Sequence, residues 1–99
     1  MTTTRTHDIS CRAAADRRES VPTAWRRGVY AIHGERGRWV VDHLPTGLSV
    51  LTRSRKADAL SAARSLYKKL PAAGAAWDWE DPTRDEDFYA METLVLGLP

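Results

Sequence analysis

One cysteine, Cys11, and one phenylalanine, Phe88, occur in 99 residues, and the scarcity of both sets the first bounds. A lone thiol closes no intrachain disulfide and supplies no Cys-x-x-Cys metal motif, so a reducing compartment is the expected setting. No run approaches the roughly 20 apolar residues that cross a bilayer. The opening Met1-Thr2-Thr3-Thr4-Arg5-Thr6-His7 contains no hydrophobic segment of signal-peptide type. A cytoplasmic chain without membrane attachment is therefore expected. Also missing is a glycine-rich phosphate loop, because Gly34-x-x-Gly37 is not followed by a helix.

The usual constellations of catalysis are absent too. His7, His33 and His43 are scattered without H-x-x-H spacing. A His33–His43 pair across a hairpin is geometrically conceivable, but two ligands without a third do not make a metal site. Asp42 and His43 are strand neighbours that point to opposite faces, so they cannot orient one another over Ser49 or Thr46 in a triad. The expectation is a non-enzyme with no cofactor and no metal.

What the chain does contain is unevenly charged. Its net charge of +2 conceals +8 over residues 1–70, where 14 Lys and Arg face 6 Asp and Glu, and −6 over residues 71–99. Twelve of the fifteen bases are arginine. Such a division points to a polyanion partner, or to an acidic tail docking on a basic body within one chain or across a homodimer. An apolar content of 42% with four Trp and three Tyr is ample for folding.

Residues 1–24 are polar and then Arg/Ala-rich, and read as a flexible arm with a frayed helix near Ala13–Glu19 capped by Ser10. Arg12, Arg17 and Arg18 make that arm weakly cationic. Residues 25–99 read as a single α+β domain, with a basic β-β-β-α core over 28–70 and an acidic extension over 71–99. The runs Val29–His33, Arg38–Leu44 and Leu48–Thr52 are β-rich, and the second alternates. They predict a three-stranded antiparallel meander turned by a four-residue Gly34–Gly37 loop and by Pro45-Thr46-Gly47. Trp39/Val41 and Val40/Leu44 are both apolar enough to face inward, so the pattern leaves the buried face open. A helix over 55–70, capped by Ser54, presents Leu60, Ala63, Tyr67 and Leu70 to the sheet. After Pro71, Trp77-Asp78-Trp79-Glu80 reads as an extended strip. Thr83 and Glu86 form a capping box for a second helix from Arg84 to about Leu96 that buries Phe88, Met91 and Leu94 or Val95 and stops at Gly97.

The candidate site is cationic. Arg26 and Arg27 start the first strand, Arg36 and Arg38 flank the hairpin tip, and Arg53, Arg55 and Lys56 lead into the helix. Gathered on one surface they would attract phosphates, with Trp25, Tyr30 and Trp39 available for stacking. The competing assignment places the tryptophans in the core. An alternative site is the acidic strip around Trp77 and Trp79, whose indoles ringed by carboxylates suit a basic protein partner.

The segments Gly37-Arg38-Trp39-Val40-Val41 and Leu51-Thr52-Arg53-Ser54-Arg55-Lys56-Ala57-Asp58-Ala59 resemble the β-β-β-α Arm or AP2-like DNA-binding domains of phage-type tyrosine integrases. The resemblance covers about residues 28–70. It implies a sheet entering the major groove, a helix packed behind it, and DNA contacts from Arg36, Arg38 and the uncovered sheet face. Ser54-Arg55-Lys56-Ala57 is also similar to the phosphate-reading helix start of double-stranded RNA-binding domains. In overall style the chain resembles small orphan proteins of actinobacterial phages, which implies a nucleic-acid partner or a host protein.

Overall fold

The computed structural model describes residues 5–11, 14–45, 47–72 and 86–98. Eight elements follow in order. These are β1 (Thr6–Cys11), β2 (Ala14–Pro22), β3 (Trp25–Arg27), β4 (Tyr30–Glu35), β5 (Arg38–His43), β6 (Leu48–Arg53), α1 (Lys56–Lys69) and α2 (Glu86–Leu96). The architecture is α+β, with β3-β4-β5-β6 forming a four-stranded antiparallel meander and β1-β2 a separate two-stranded sheet. The expected three-stranded meander is thus one strand short, because Trp25–Arg27 pairs with Tyr30–Ile32 through the tight Gly28-Val29 turn. Gly28 makes that turn at φ +59, with its backbone against the Tyr67 ring.

The β4–β5 hairpin is also tighter than the four-residue loop expected. Glu35 pairs with Arg38, so only Arg36 and Gly37 turn the chain. Gly34 belongs to the strand opposite Trp39, at φ +147, where an added Cβ would strike the Arg38 carbonyl and lie 2.9 Å from the Trp39 Cα. Its glycine serves close backbone approach within the sheet rather than the loop.

Register settles which face is inside. Tyr30, Ile32, Val41 and Leu51 share one face and form the core with Ala59, Ala62, Ala63 and Leu66 of α1 and Met91 of α2. The alanines let the helix lie close to the sheet, and Leu66 fills the space between them. Leu60, Tyr67 and Leu70 pack at the margin, so of the expected stripe Ala63 is the residue fully buried, with Ala59 and Leu66, expected beside it, completing the buried side. The Tyr30 hydroxyl satisfies itself by donating to the Leu70 carbonyl at 2.6 Å. Tyr30 is fully buried and cannot stack on a base.

Two further expectations are corrected. Helix α1 is capped not by Ser54 but by Arg55, at φ −112 and ψ 137, with no side-chain cap hydrogen bond. The serine falls one residue too early for its hydroxyl to reach the first free N–H groups. Of the helix expected near Ala13–Glu19, the described part, from Ala14 on, is instead strand β2, which turns back on β1. Three consecutive alanines favour a helix locally, yet strand pairing over Thr6–Ser10 and Arg18–Pro22 prevails.

That hairpin decides what the second sheet face does. Strand β1 packs near β6 and β2 near β4, so the pair spans the face away from α1. Under it Ala31 and Asp42 are 0% exposed and Val40 6%. Among the described residues no helix is long and apolar enough to cross a membrane.

Candidate functional site

Three strands supply one buried polar cluster. On the hairpin-covered face, Ala31 stands opposite Asp42 and His33 opposite Val40, so His33 and Asp42 are diagonal neighbours within side-chain reach. The ladder between β5 and β6 is irregular at this position. Val41 pairs with Leu51 and Asp42 with Ser49, leaving Val50 as the extra residue of a bulge. Bulges kink a strand and re-aim side chains, and here the kink lies beside the carboxylate. From the other sheet, the alternation of β1 turns Thr6 and Asp8 outward and His7 inward, where it is 5% exposed.

The three side chains meet at one atom. Asp42 Oδ2 accepts from His7 Nε2 at 2.7 Å and also from His33 Nδ1. His7 Nδ1 in turn lies 2.6 Å from Thr23 Oγ1. Thr23 is held in place by its own N–H, which donates to the Arg5 carbonyl at 2.8 Å. The two imidazoles stand edge to face, with centroids 5.8 Å apart. Donor atoms from His7, His33 and Asp42 all lie within 4.8 Å of one another. Asp42 Oδ1 is buried and has no hydrogen-bond partner among the described residues.

Only one side of this cluster opens to solvent. The His33 side chain is 19% exposed against 1% for His7 and Asp42. His33 lines a cleft of about 430 Å³ with Val21, Pro22, Gly34, Glu35, Arg38 and Val40. The His33–His43 pair that a hairpin would allow is not formed. Tyr30 stands opposite His43 and Val40 opposite His33, an odd offset that sends the two rings to opposite faces. His43 is instead buried beside Tyr30, with ring centroids 6.3 Å apart. Asp42 and His43 do point apart, as their adjacency requires.

The cations expected on one surface divide into two groups. Arg38 pairs with Glu35 and Arg53 with Trp39, which puts Arg36, Arg38, Arg53, Arg55 and Lys56 at the end of the sheet where α1 begins. Lys56 Nζ lies 5.4 Å from the Trp39 ring centroid, and Arg53 donates to the Thr52 carbonyl at 2.9 Å. Glu35 and Asp58 are the acids described there. Arg26 and Arg27 pair with Ala31 and Tyr30, at the opposite end of strands that are about 20 Å long. The Arg27 guanidinium caps the Tyr67 ring at 4.5 Å, near the end of the helix. Trp25 and Trp39 are half-buried against the core. The acidic strip with Trp77 and Trp79, and the Thr83 capping position, lie outside the described residues.

The residue that sequence reasoning missed is His7, assigned to an arm. The alternation of Thr6, Asp8 and Ser10 with His7, Ile9 and Cys11 is a period of two that marks a half-buried strand, and it was the available signal. No protein-family model matches this chain, and neither a curated protein nor a solved structure does.

Proposed function

We propose that this chain is a small non-catalytic module that binds nucleic acid through the cations at the α1 end of its sheet. The observation that supports the reading is the register, which puts Arg36, Arg38, Arg53, Arg55 and Lys56, from two chain segments, at one end of the sheet, with Arg53 on the α1 side and Arg38 on the hairpin side. Five cations against Glu35 and Asp58 leave a net positive end, and clustered bases of this kind attract phosphates. The α1 N-terminus adds backbone N–H groups that no side chain caps. Trp39 under Lys56 offers an apolar surface beside them.

The mode differs from the one implied by the Arm or AP2-like resemblance. That resemblance assigns the groove to the sheet face opposite the helix, and here that face is buried at Ala31, Val40 and Asp42. The working surface is accordingly the sheet end. Fluorescence anisotropy with labelled duplex DNA, single-stranded DNA and RNA tests the reading. Arg36→Ala, Arg38→Ala and Lys56→Ala should each weaken binding and lower the salt slope by about one. Arg27→Ala, at the far end, should leave both unchanged. Failure of the full chain to retain any of the three polymers at low salt, or equal losses from Arg27→Ala, would overturn the proposal.

A further inference from the structure

We infer that His7, His33 and Asp42 form a three-ligand site for one divalent transition-metal ion of the Zn²⁺ class. The inference goes beyond nucleic-acid binding, and of the cations named above only Arg38 borders this site. Two imidazole nitrogens and one carboxylate oxygen, within 4.8 Å of one another, are a donor set suited to Zn²⁺ and its neighbours rather than to Mg²⁺ or Ca²⁺, which prefer all-oxygen shells.

Three observations carry it. First, the donors come from β1, β4 and β5, and their backbone positions are fixed by strand pairing across two sheets. Tetrahedral coordination at bonds of 2.0–2.1 Å spaces donors about 3.3 Å apart. The His7–Asp42 separation of 2.7 Å therefore has to widen by about half an ångström, a shift within reach of small side-chain rotations. Second, His7 already has the outer partner that a ligating histidine uses. Its Nδ1 lies 2.6 Å from Thr23 Oγ1, and with the proton held on that nitrogen by the hydroxyl oxygen, Nε2, which donates to Asp42 in the metal-free chain, would instead turn a lone pair to the shared centre. Third, Asp42 is fully buried, yet its Oδ1 has no partner among the described residues. A buried carboxylate oxygen left without a hydrogen bond is costly, and a bound dication would compensate that charge.

Three protein ligands leave a fourth position, the pattern of open rather than closed zinc sites. His33 and the cleft of about 430 Å³ beside it give that position access to water or a small anion, with Arg38 on the cleft wall. Metal, not hydrogen bonding alone, then joins the amino-terminal hairpin to the meander.

The full, tag-free chain, stripped with chelator, is titrated with ZnCl2 by calorimetry and with CoCl2 by visible absorption. One equivalent should bind with a rise in Tm, and cobalt should give the intense ligand-field bands of a low-coordinate N/O site. His33→Ala, the most exposed of the three, should keep its circular dichroism spectrum and lose affinity about ten- to hundred-fold or more. His7→Ala and Asp42→Asn should lose it as well, while His43→Ala, on the other sheet face, should bind normally. No binding by the folded chain overturns the inference, as does stoichiometric binding that survives in folded His33→Ala.

Discussion

Asp42 is the residue on which the most depends. Its Oδ2 is shared by His7 and His33, and it is closed off from water by the hairpin above and the core below. Without metal, Asp42→Ala strands His7 Nε2 in a buried place and should cost about 3 kcal/mol in denaturant unfolding. His33→Ala should cost about 1 kcal/mol or less, because His33 is part-exposed and the smaller side chain admits water to Asp42. Equal losses from the two would mean that the cluster is not organised around the carboxylate. Sequence alone could separate Asp42 from His43 by strand alternation. It could not join Asp42 to His7, because the two are 35 residues apart and belong to sheets that pack face to face without sharing a ladder. Contacts of that kind leave no local pattern in the sequence.

At the scale of the element, helix α1 shows what local signals can and cannot locate. Its span, Lys56–Lys69, lies one residue inside the expected 55–70, since alanine spacing and Pro71 mark it well. The cap is displaced to Arg55, which has no oxygen to offer the first N–H groups. Arg55→Ser should supply one and stabilise the fold by about 1 kcal/mol, a Tm gain of about 4–8 °C for a domain of this size. The same substitution should weaken nucleic-acid binding by removing a cation, so stability and affinity move in opposite directions. A lower Tm would show that the Arg55 aliphatic stem packs more than its exposure suggests. Strands β4 to β6 were legible for the same reason as the helix, each being a short β-rich run bounded by Gly or Pro. Strand β3 was not, since three residues carry too little alternation to separate from a turn. Strand β2 was hidden by its alanines.

For the whole molecule, the two halves of opposite charge do not correspond to a body and a detachable tail. Helix α2 places Met91 in the core at 1% exposure, with Leu94, Val95 and Leu98 packed against it. Met91→Ala should therefore cost about 2–5 kcal/mol, and truncation after Pro71 should lower Tm by more than Met91→Ala does. Thermal unfolding followed by circular dichroism decides this. A truncated chain as stable as the full one would make α2 an appendage. The consequence for binding experiments is direct: deleting residues 77–99 removes core together with acid, so charge reversal at exposed cations is the cleaner probe of the basic end.

The inward turn of His7 has an effect on alignment. Two paired strands alone are only marginally stable, so the amino-terminal pair has to find its place on the meander, and one-residue displacement inverts every side chain. Displaced by one position, the strand would present Thr6 or Asp8 where the imidazole stands, and Asp8 would bring a second carboxylate against the first in a place closed to solvent. The histidine thus acts as a key that admits one seating of the hairpin and rejects its neighbours.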